Sequence, residues 1–367
     1  MTTDDILKAL SNVQEPDLGK DIVSLNMVKD ISIEGNHVSF TIVLTTPACP
    51  LKDMIKNDCT RSIRTLDPSL VVNVKFTANT TTKRSDSGAV LPKVKNIIAV
   101  VSGKGGVGKS TVAANLALAL SQGGAKVGLM DADIYGPSVP IMFGVRGERP
   151  LMIEIGEKGM IAPLERYGIK LISIGLLVDE KNAVVWRGPM ASSAIRQFVT
   201  DVYWGELDYL VVDMPPGTGD IHLTLVQTVP VTGAVIVTTP QDVALADAKK
   251  AIAMFGQAQV NVPIIGLVEN MSYFIPPGGT ELPNNKYYIF GKEGGKNLAD
   301  EYDIPFLGQV PLVQSIREGG DQGVPVMMSD DEISKKAFQE FADNVVRSIS
   351  MRNANLSSER VAEVVGE

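Results

Sequence analysis

The sequence predicts an α/β protein whose larger part is a doubly wound, mostly parallel sheet, preceded by a small α/β domain. Three observations support this prediction. From residue 96 onward, short apolar runs rich in β-branched residues alternate with helical stretches, as expected for strands covered on both faces. Glycine-rich and acidic segments directly follow these runs, where parallel α/β sheets place their functional residues. Residues 1–78 instead show an α-β-β-α-β order.

The composition is that of a globular chain and argues against several classes of protein. The 367 residues suffice for two or three domains. The net charge of -8, from 34 basic and 42 acidic side chains, disfavours binding to nucleic acids. Two cysteines, Cys49 and Cys59, form no disulfide framework and favour a cytoplasmic location. The N-terminus is acidic and no apolar run approaches the roughly 18 residues of a membrane helix, so we expect no membrane association.

Hydrophobic periodicity and turn residues predict the elements of both domains. In the small domain, 1–78, we expect a helix around 6–10, strands at 28–33 and 38–45 joined by a turn at 34–36, a helix at 51–66 and a strand at 71–76. Residues 79–95 are polar and show no hydrophobic periodicity, which is typical of a linker. The second domain, 96–351, is predicted to have strands at 97–101, 127–130, 209–212, 234–237 and 264–268, a closing helix at 330–351, and a polar tail at 352–367.

A glycine-rich segment after the first of these strands fits the phosphate-binding loop of P-loop NTPases. It reads GKGGVGKS, with two glycines separated by four residues and followed by lysine and serine. Such glycines let backbone N–H groups curl round phosphate oxygens at the start of the following helix, here predicted for 111–120. The expected nucleotide ligands are Gly103, Lys104, Gly105, Gly106, Val107, Gly108, Lys109, Ser110 and Thr111.

The chemistry of phosphoryl transfer suggests individual roles near this loop. Lys109 is expected to reach the β- and γ-phosphates of ATP, and Ser110 to ligate Mg²⁺. Asp213 directly follows an apolar strand and fits the carboxylate that holds Mg²⁺ through water. Asp131 is a second candidate for that water shell, and Asp133 is a candidate for orienting the attacking water. Aspartates at strand ends also commonly form turns, so a turn-forming role is the alternative for each of the three aspartates.

Two further segments are candidates for contact with the nucleotide. Residues 213–220 read DMPPGTGD and are rich in turn residues, so they could reorient when a γ-phosphate is present or absent. Asn270 follows the strand at 264–268. Its amide could both donate to and accept from an adenine edge. The alternative for Asn270 is an ordinary strand-end cap.

Together these segments resemble the Mrp/ApbC-type iron–sulfur carrier ATPases of the MinD/ParA superfamily. The matching motifs are GKGGVGKS at 103–110, DADIYGPS at 131–138, RGPM at 187–190, DMPPGTGD at 213–220 and ENMSYF at 269–274. Residues 1–78, with TTPACP at 45–50, resemble a small domain that is often fused ahead of this ATPase and is also found alone in iron–sulfur maturation factors.

The resemblance implies a homodimer that binds ATP, hydrolyses it slowly and carries a transferable 4Fe–4S cluster at the dimer interface. Apo iron–sulfur proteins and cluster-assembly scaffold proteins are the implied partners. In such deviant P-loop ATPases, the lysine that matches Lys104 crosses the interface to the partner's nucleotide. The resemblance therefore implies that Lys104 neutralises transition-state charge in trans. A solvated loop lysine is the alternative.

The sequence departs from this family at the cluster site. The cluster normally rests on a Cys-x-x-Cys pair after the ENMSYF segment, and the corresponding positions here are Pro276 and Gly279. No cysteine lies beyond residue 59, which excludes the usual interfacial ligation. Cys49 is the candidate replacement, because it precedes a predicted helix whose dipole favours thiolate. An inert buried cysteine is the alternative, and Cys59, on an apolar helix face, is expected in the core.

Several functions remain open at this point. The motifs favour an ATP-dependent carrier or maturation factor for iron–sulfur proteins. A positioning or partitioning ATPase of the MinD/ParA kind would require a basic amphipathic helix or a basic DNA-binding face, whereas residues 357–367 are acidic. A regulatory ATPase or scaffold without a cluster is consistent with the missing cysteine pair. Nothing marks the acceptor pocket of a metabolic kinase. His37 and His222 lack partners at metal-ligand spacing and are expected to be structural or exposed.

Overall fold

A computed structural model describes residues 1–80, 82, 90–178, 188–258, 260–276 and 285–355. The first of its two main sheets belongs to the N-terminal part. In chain order the elements there are α1 (Thr3–Leu10), β1 (Gln14–Glu15), β2 (Lys20–Asp21), β3 (Val28–Glu34), β4 (His37–Leu44), α2 (Lys52–Arg64) and β5 (Val71–Ala78). Strand β4 pairs antiparallel with β3 and parallel with β5. The predicted α-β-β-α-β order is confirmed, with the short pair β1–β2 in addition.

Helix α2 covers the small sheet with one apolar face. Ile55, Cys59 and Ile63 are four residues apart, so they share a side of the helix, and all three are buried. They pack into one cluster with Phe40 and Ile42 of β4. Cys59 is therefore a core residue, as its spacing predicts.

The second sheet forms the larger part of the protein. Its flanking elements and strands are β6 (Val94–Val101), α3 (Lys109–Gln122), β7 (Val127–Asp131), α4 (Val139–Met142), β8 (Met152–Ile155), β9 (Lys158–Ile161), β10 (Leu164–Arg166), β11 (Ile169–Ser173), α5 (Gly188–Thr200), β12 (Leu207–Asp213), α6 (Asp220–Thr228), β13 (Gly233–Thr238), α7 (Asp242–Phe255), β14 (Ile264–Glu269), α8 (Gly294–Glu301), β15 (Phe306–Gln309), α9 (Gln314–Gln322) and α10 (Glu332–Asn355). Eight strands pair in the order β10-β11-β7-β12-β6-β13-β14-β15. Every pairing is parallel except that of β10 with β11.

Strand β6 shows why this sheet is doubly wound. Its side chains alternate between the faces, and each face has its own core. Ile98 and Val100 pack in the cluster that contains α3 and α10, whereas Ile97 and Ala99 pack in the cluster that contains α5 and α6. Strands buried on both faces read as continuous apolar runs, and the fold class predicted from those runs is confirmed.

The structure differs from the sequence prediction at several boundaries. Strands β8–β11 and β15 were not expected, and β8 pairs only with β9 in a separate hairpin within the described residues. The closing helix continues to Asn355 instead of ending at 351. The extra turn is retained because Asn353 is buried and donates to Asn96 Oδ1 at 3.3 Å. The rest of the predicted tail, 356–367, lies outside the described residues.

The predicted linker is partly incorporated into the larger domain. Strand β6 begins at Val94, two residues before the expected boundary. Thr80 is buried and donates to the carboxylate of Asp208 at 2.5 Å. Residues 81 and 83–89 lie outside the described part. No helix among the described residues is long and apolar enough to cross a bilayer.

The small domain contacts the larger one through polar bonds and close packing. Arg347 of α10 donates to Asp17 through Nε at 2.8 Å and forms an ion pair with it through Nη2 at 2.7 Å. The Tyr209 hydroxyl on β12 donates to Thr46 Oγ1 at 2.7 Å, and this bond is buried. The segment 45–50 therefore lies against the larger domain on the side of α3 and α10.

Candidate nucleotide-binding site

The glycine-rich loop connects β6 to α3 at the centre of the large sheet. Gly106 and Gly108 have φ values of +84° and +82°, a left-handed conformation that glycine adopts without a steric penalty. A side chain at Gly108 would also collide with the Asn270 amide, and one at Gly103 would collide with the backbone carbonyl of Asp247. The loop shape therefore depends on glycine at these positions, in agreement with the P-loop prediction.

Two cavities open beside this loop. The first, of about 240 Å³, is bounded by the loop from Lys104 to Thr111, by Asp133 and by Pro216. The second, of about 360 Å³, is lined by Asn270, Pro311 and residues of α4 and α9. Both are lined by Gly108, Thr111, Ser138 and Met142. Because they share lining residues at the start of α3, an elongated ligand with an anionic end fits their arrangement.

Lys109 lies between two carboxylates at the inner wall of the first cavity. Its Nζ donates to Asp213 Oδ1 at 2.5 Å, lies 3.3 Å from Ser110 Oγ and lies 3.8 Å from Asp133 Oδ2. Asp213 Oδ2 is buried without a hydrogen-bond partner among the described residues. An unpaired carboxylate oxygen next to a serine hydroxyl fits the hard oxygen donors that Mg²⁺ prefers.

Asp131 is buried beside Asp213 and accepts three hydrogen bonds from the protein; its place in the Mg²⁺ water shell stays a prediction. The two aspartates are paired in register at the ends of β7 and β12. Asp131 Oδ2 accepts the Ser173 hydroxyl at 2.9 Å and the Val139 N–H at 3.3 Å, and Oδ1 accepts the N–H of Asp133 at 3.1 Å. This bonding holds the start of the 131–138 segment in place.

Burial and mutual repulsion change the titration of this pair. Burial, together with the neighbouring Asp213 carboxylate, raises the pKa of Asp131 to about 8. Burial also raises the pKa of Asp213, although the Lys109 ammonium opposes the shift. One buried ammonium beside two buried carboxylates favours one protonated carboxyl, which we assign to Asp131.

Asn270 directly follows β14, which is separated from β6 by β13, and it supports the P-loop. Its Nδ2 donates to the carbonyl of Val107 at 2.8 Å, and the side chain is buried. The same residue lines the second cavity. Asn270 is therefore in contact with the P-loop backbone and at the wall of the cavity where a base would lie; its contact with adenine stays a prediction.

Lys104 and Pro216 of the 214–219 segment also line the first cavity. Lys104 is exposed at the loop tip. The N–H of Gly217 donates to the carbonyl of Ser102 at 3.0 Å, and that of Met214 donates to Val100 at 3.1 Å. The segment is thus tied to the P-loop at its base, while Pro216 faces the cavity.

The cysteine prediction is only partly consistent with the structure. Cys49 is half-buried, and burial raises its pKa to about 11. Desolvation thus outweighs the N–H groups near the start of α2 and favours the thiol in this conformation, and cluster binding by Cys49 stays a prediction. Pro276 is described but Gly279 lies outside the described residues. Among the described residues no group of three or more His, Cys, Asp and Glu side chains is arranged to hold a metal ion.

Sequence reasoning missed several residues around the cavities. Ser138 Oγ is buried without a hydrogen-bond partner among the described residues and lines both cavities. Ser138 is the last residue of the DADIYGPS motif, and this position could have identified it as a candidate site residue. Pro311 gave no signal, since it belongs to a loop after an unpredicted strand. His37 is exposed and His222 is buried.

The fold and this loop define a P-loop NTPase that binds nucleotide. Residues 93–346 match the family model described as NUBPL iron-transfer P-loop NTPase, and residues 3–76 match one described as iron–sulfur cluster assembly protein. The iron–sulfur cluster carrier protein of Synechocystis is 52% identical over 354 residues, which is 96% of this chain and 99% of the relative. The chain belongs to this iron-transfer NTPase family, which confirms the resemblance inferred from its motifs.

Solved structures agree with this assignment. A nucleotide-binding protein from Archaeoglobus fulgidus, in complex with ADP, is 41% identical; the alignment covers 64% of this chain and 88% of that one, with a TM-score of 0.53. The septum site-determining protein MinD of Pyrococcus horikoshii, in complex with Mg-ADP, is 24% identical, with coverage of 68% and 95% and a TM-score of 0.50. The likeness to MinD concerns the fold alone.

Proposed function

We propose that this protein is a cytoplasmic, ATP-hydrolysing iron–sulfur cluster carrier or assembly factor that works as a nucleotide-switched homodimer. The observation that carries the proposal is the position of Lys109 between Asp213 and Asp133 at the wall of a glycine-lined cavity. The iron–sulfur part of the proposal is supported by the family and by relatives that are named iron–sulfur cluster carrier protein.

Each residue of the phosphate cavity has its own role in phosphoryl transfer. Backbone N–H groups of residues 103–109 bind the phosphates, and Lys109 exchanges its contact with Asp213 for the β- and γ-oxygens. Ser110 and Asp213 hold Mg²⁺, which when bound neutralises charge on the phosphates. Asp131 fixes the strand ends and, in its protonated form, limits the negative charge there. Asp133 orients the attacking water.

The second cavity is the place for the nucleoside. It shares Gly108 and Thr111 with the lining of the phosphate cavity. Asn270 has an amide oxygen and a second N–H with which to recognise adenine, while its first N–H supports Val107. Ile316 and Leu312 add apolar walls, which suit an aromatic base.

Lys104 and the homodimer complete the ATPase. An exposed lysine at the tip of the phosphate loop can reach a second subunit placed across the cavity mouth. There it would stabilise the charge that develops during transfer. Because Asp133 and Pro216 also border this mouth, a partner subunit would exclude water and couple hydrolysis to dimer geometry.

Cargo transfer is assigned to Cys49 in the small domain. Two Cys49 thiolates in a dimer supply two of the four ligands of a standard cluster, and a recipient apoprotein, a scaffold protein or external thiols supply the rest. The raised pKa of Cys49 means that ligation requires this segment to become more exposed. A cluster-free regulatory or scaffold ATPase is the second candidate, favoured by the lack of any cysteine beyond residue 59.

Anaerobic reconstitution with iron and sulfide tests cluster binding, and an ATPase assay tests ATP hydrolysis. We expect wild type to hydrolyse ATP, Lys109→Ala to lose hydrolysis, and wild type to retain iron with visible absorption that Cys49→Ala loses. Cys59→Ala is the matched control, because it removes a core thiol. ATP hydrolysis without retained iron would contradict the carrier and support the regulatory ATPase.

A further inference from the structure

Unpaired buried polar groups flank the 214–219 segment at both ends. Before it, Asp213 Oδ2 has no hydrogen-bond partner within the described part of the chain. After it, the same holds for both ring nitrogens of His222, whose residue is 2% exposed. Buried polar side chains are paired in the great majority of cases, and each exception calls for an explanation. For Asp213 the explanation is its place beside Lys109 and Ser110; His222 needs another.

The His222 ring is close to the backbone of the segment. His222 occupies the first turn of α6, and its backbone N–H donates to the carbonyl of Gly219 at 3.0 Å. The backbone of Pro215 and Gly219 is beside the ring and favours its protonated form, but burial dominates and lowers the pKa of His222. The ring is therefore a neutral imidazole with one N–H donor and one acceptor, close to carbonyls that it does not yet bond well.

The 214–219 segment is also connected to the phosphate site. It directly follows Asp213, which bonds Lys109, and Pro216 lines the phosphate cavity. Its only described backbone bonds to the P-loop strand are those of Met214 and Gly217. When Lys109 turns from Asp213 to phosphate, the segment loses one anchor at its start. A small shift of its carbonyls would then improve their geometry towards the imidazole N–H.

We propose that His222 is a positioning residue for ATP hydrolysis: its ring N–H donates to a backbone carbonyl of the 215–219 segment when nucleotide fills the site. This bond holds the segment over the phosphate cavity in the arrangement that supports hydrolysis. The inference rests on the proposed ATPase function. It concerns a residue outside the P-loop and outside the strand-end aspartates.

Substitutions of His222 separate positioning from a structural role. His222→Leu removes both nitrogens, whereas His222→Gln keeps a donor and an acceptor at a similar reach. We expect His222→Leu to lower kcat about tenfold with KM within about twofold, and His222→Gln to restore most of kcat. Leu225→Ala, on the same helix and fully buried, is the control that lowers the melting temperature without removing a donor. A wild-type kcat in His222→Leu, or equal loss in both His222 variants, would overturn the proposal.

Hydrogen exchange provides a readout that does not depend on turnover. In wild type, the amides of Met214, Gly217, Thr218 and Gly219 should exchange more slowly with a non-hydrolysable ATP analogue, and His222→Gln should keep this protection. His222→Leu should lose this protection, and if it does not fold, His222→Phe, which also lacks the ring nitrogens, replaces it and should lose the protection too. Analogue binding without protection would contradict the role of His222. Protection without any ATP hydrolysis by wild type would instead contradict the proposed ATPase.

Discussion

The side chain of Ala48 packs against Gly123, the residue that caps the C-terminal end of helix α3. A Cβ atom at Gly123 would lie 2.9 Å from Ala48 Cβ and 3.1 Å from Ala48 Cα. The same helix begins at Lys109 of the P-loop. One helix therefore contacts the phosphate site at its first residue and the small domain, one residue from Cys49, at its last turn.

Gly123→Ala should weaken the contact between the two domains. The added methyl group has no space against Ala48, and overpacking of this kind costs about 1–3 kcal/mol. We expect a lower melting temperature by calorimetry. The strain should be relieved in the double variant Ala48→Gly/Gly123→Ala, since the space for one methyl group is then restored.

Gly256→Ala is the matched control for this substitution. Gly256 also follows a helix, with φ −79° and ψ −8°, close to the −70° and −2° of Gly123. Its Cβ would meet no atom nearer than 3.6 Å. It should leave stability unchanged or slightly increased, and a similar loss in both variants would show that the Ala48 contact is not responsible.

Lys104→Ala should reduce turnover far more than nucleotide affinity. An exposed lysine that acts on the partner's transition state contributes to kcat, whereas binding depends on the loop backbone and Lys109. Steady-state ATP hydrolysis and the dissociation constant of a fluorescent ATP analogue measure the two effects. Lys126→Ala removes another exposed lysine, one paired with Glu206, and should change neither. Equal losses of turnover and affinity in Lys104→Ala would argue against the role in trans.

The strand-end aspartates show what the sequence can predict of this site. Asp131 and Asp213 each follow an apolar run, and parallel strands bring such ends to one edge, where register pairs them directly. Their different hydrogen bonding was not predictable. Asp131 accepts bonds from Ser173 and two backbone N–H groups, and these bonds depend on strand β11 and helix α4, which the sequence did not reveal.

Cys49 is a residue whose environment cannot be predicted from the local sequence. Its local sequence, just before a helix, predicts a thiolate, but the environment is set by the contact between domains. Glu15, Asp17 and Asp343 add negative charge around it, and burial adds the largest shift. These residues come from distant parts of the chain, so no local pattern carries the information. The same applies to His222, which is buried although its local sequence does not predict this.

Both thiols should react slowly with iodoacetamide in the folded protein. The reactive form is the thiolate, and burial raises the pKa of Cys49 to about 11 and that of Cys59 to about 12. At pH 8 we expect Cys49 to alkylate more slowly than a free thiol, and Cys59 more slowly still, with both fast in denaturant. Mass spectrometry at timed intervals measures the rates. Rapid alkylation of Cys49 would indicate that the segment 45–50 is open in solution.

Asp131 should make stability fall as pH rises in the nucleotide-free, Mg²⁺-free protein. Burial and the Asp213 charge raise its pKa from 3.8 in the unfolded chain to about 8. Above about pH 4 the unfolded chain releases this proton while the folded protein keeps it, so the free energy of unfolding decreases until pH passes the folded pKa. Melting temperatures at pH 6, 7 and 8 should therefore decline more in wild type than in Asp131→Asn. Because the other groups titrate in both variants, parallel declines would show that Asp131 is ionised in the folded protein.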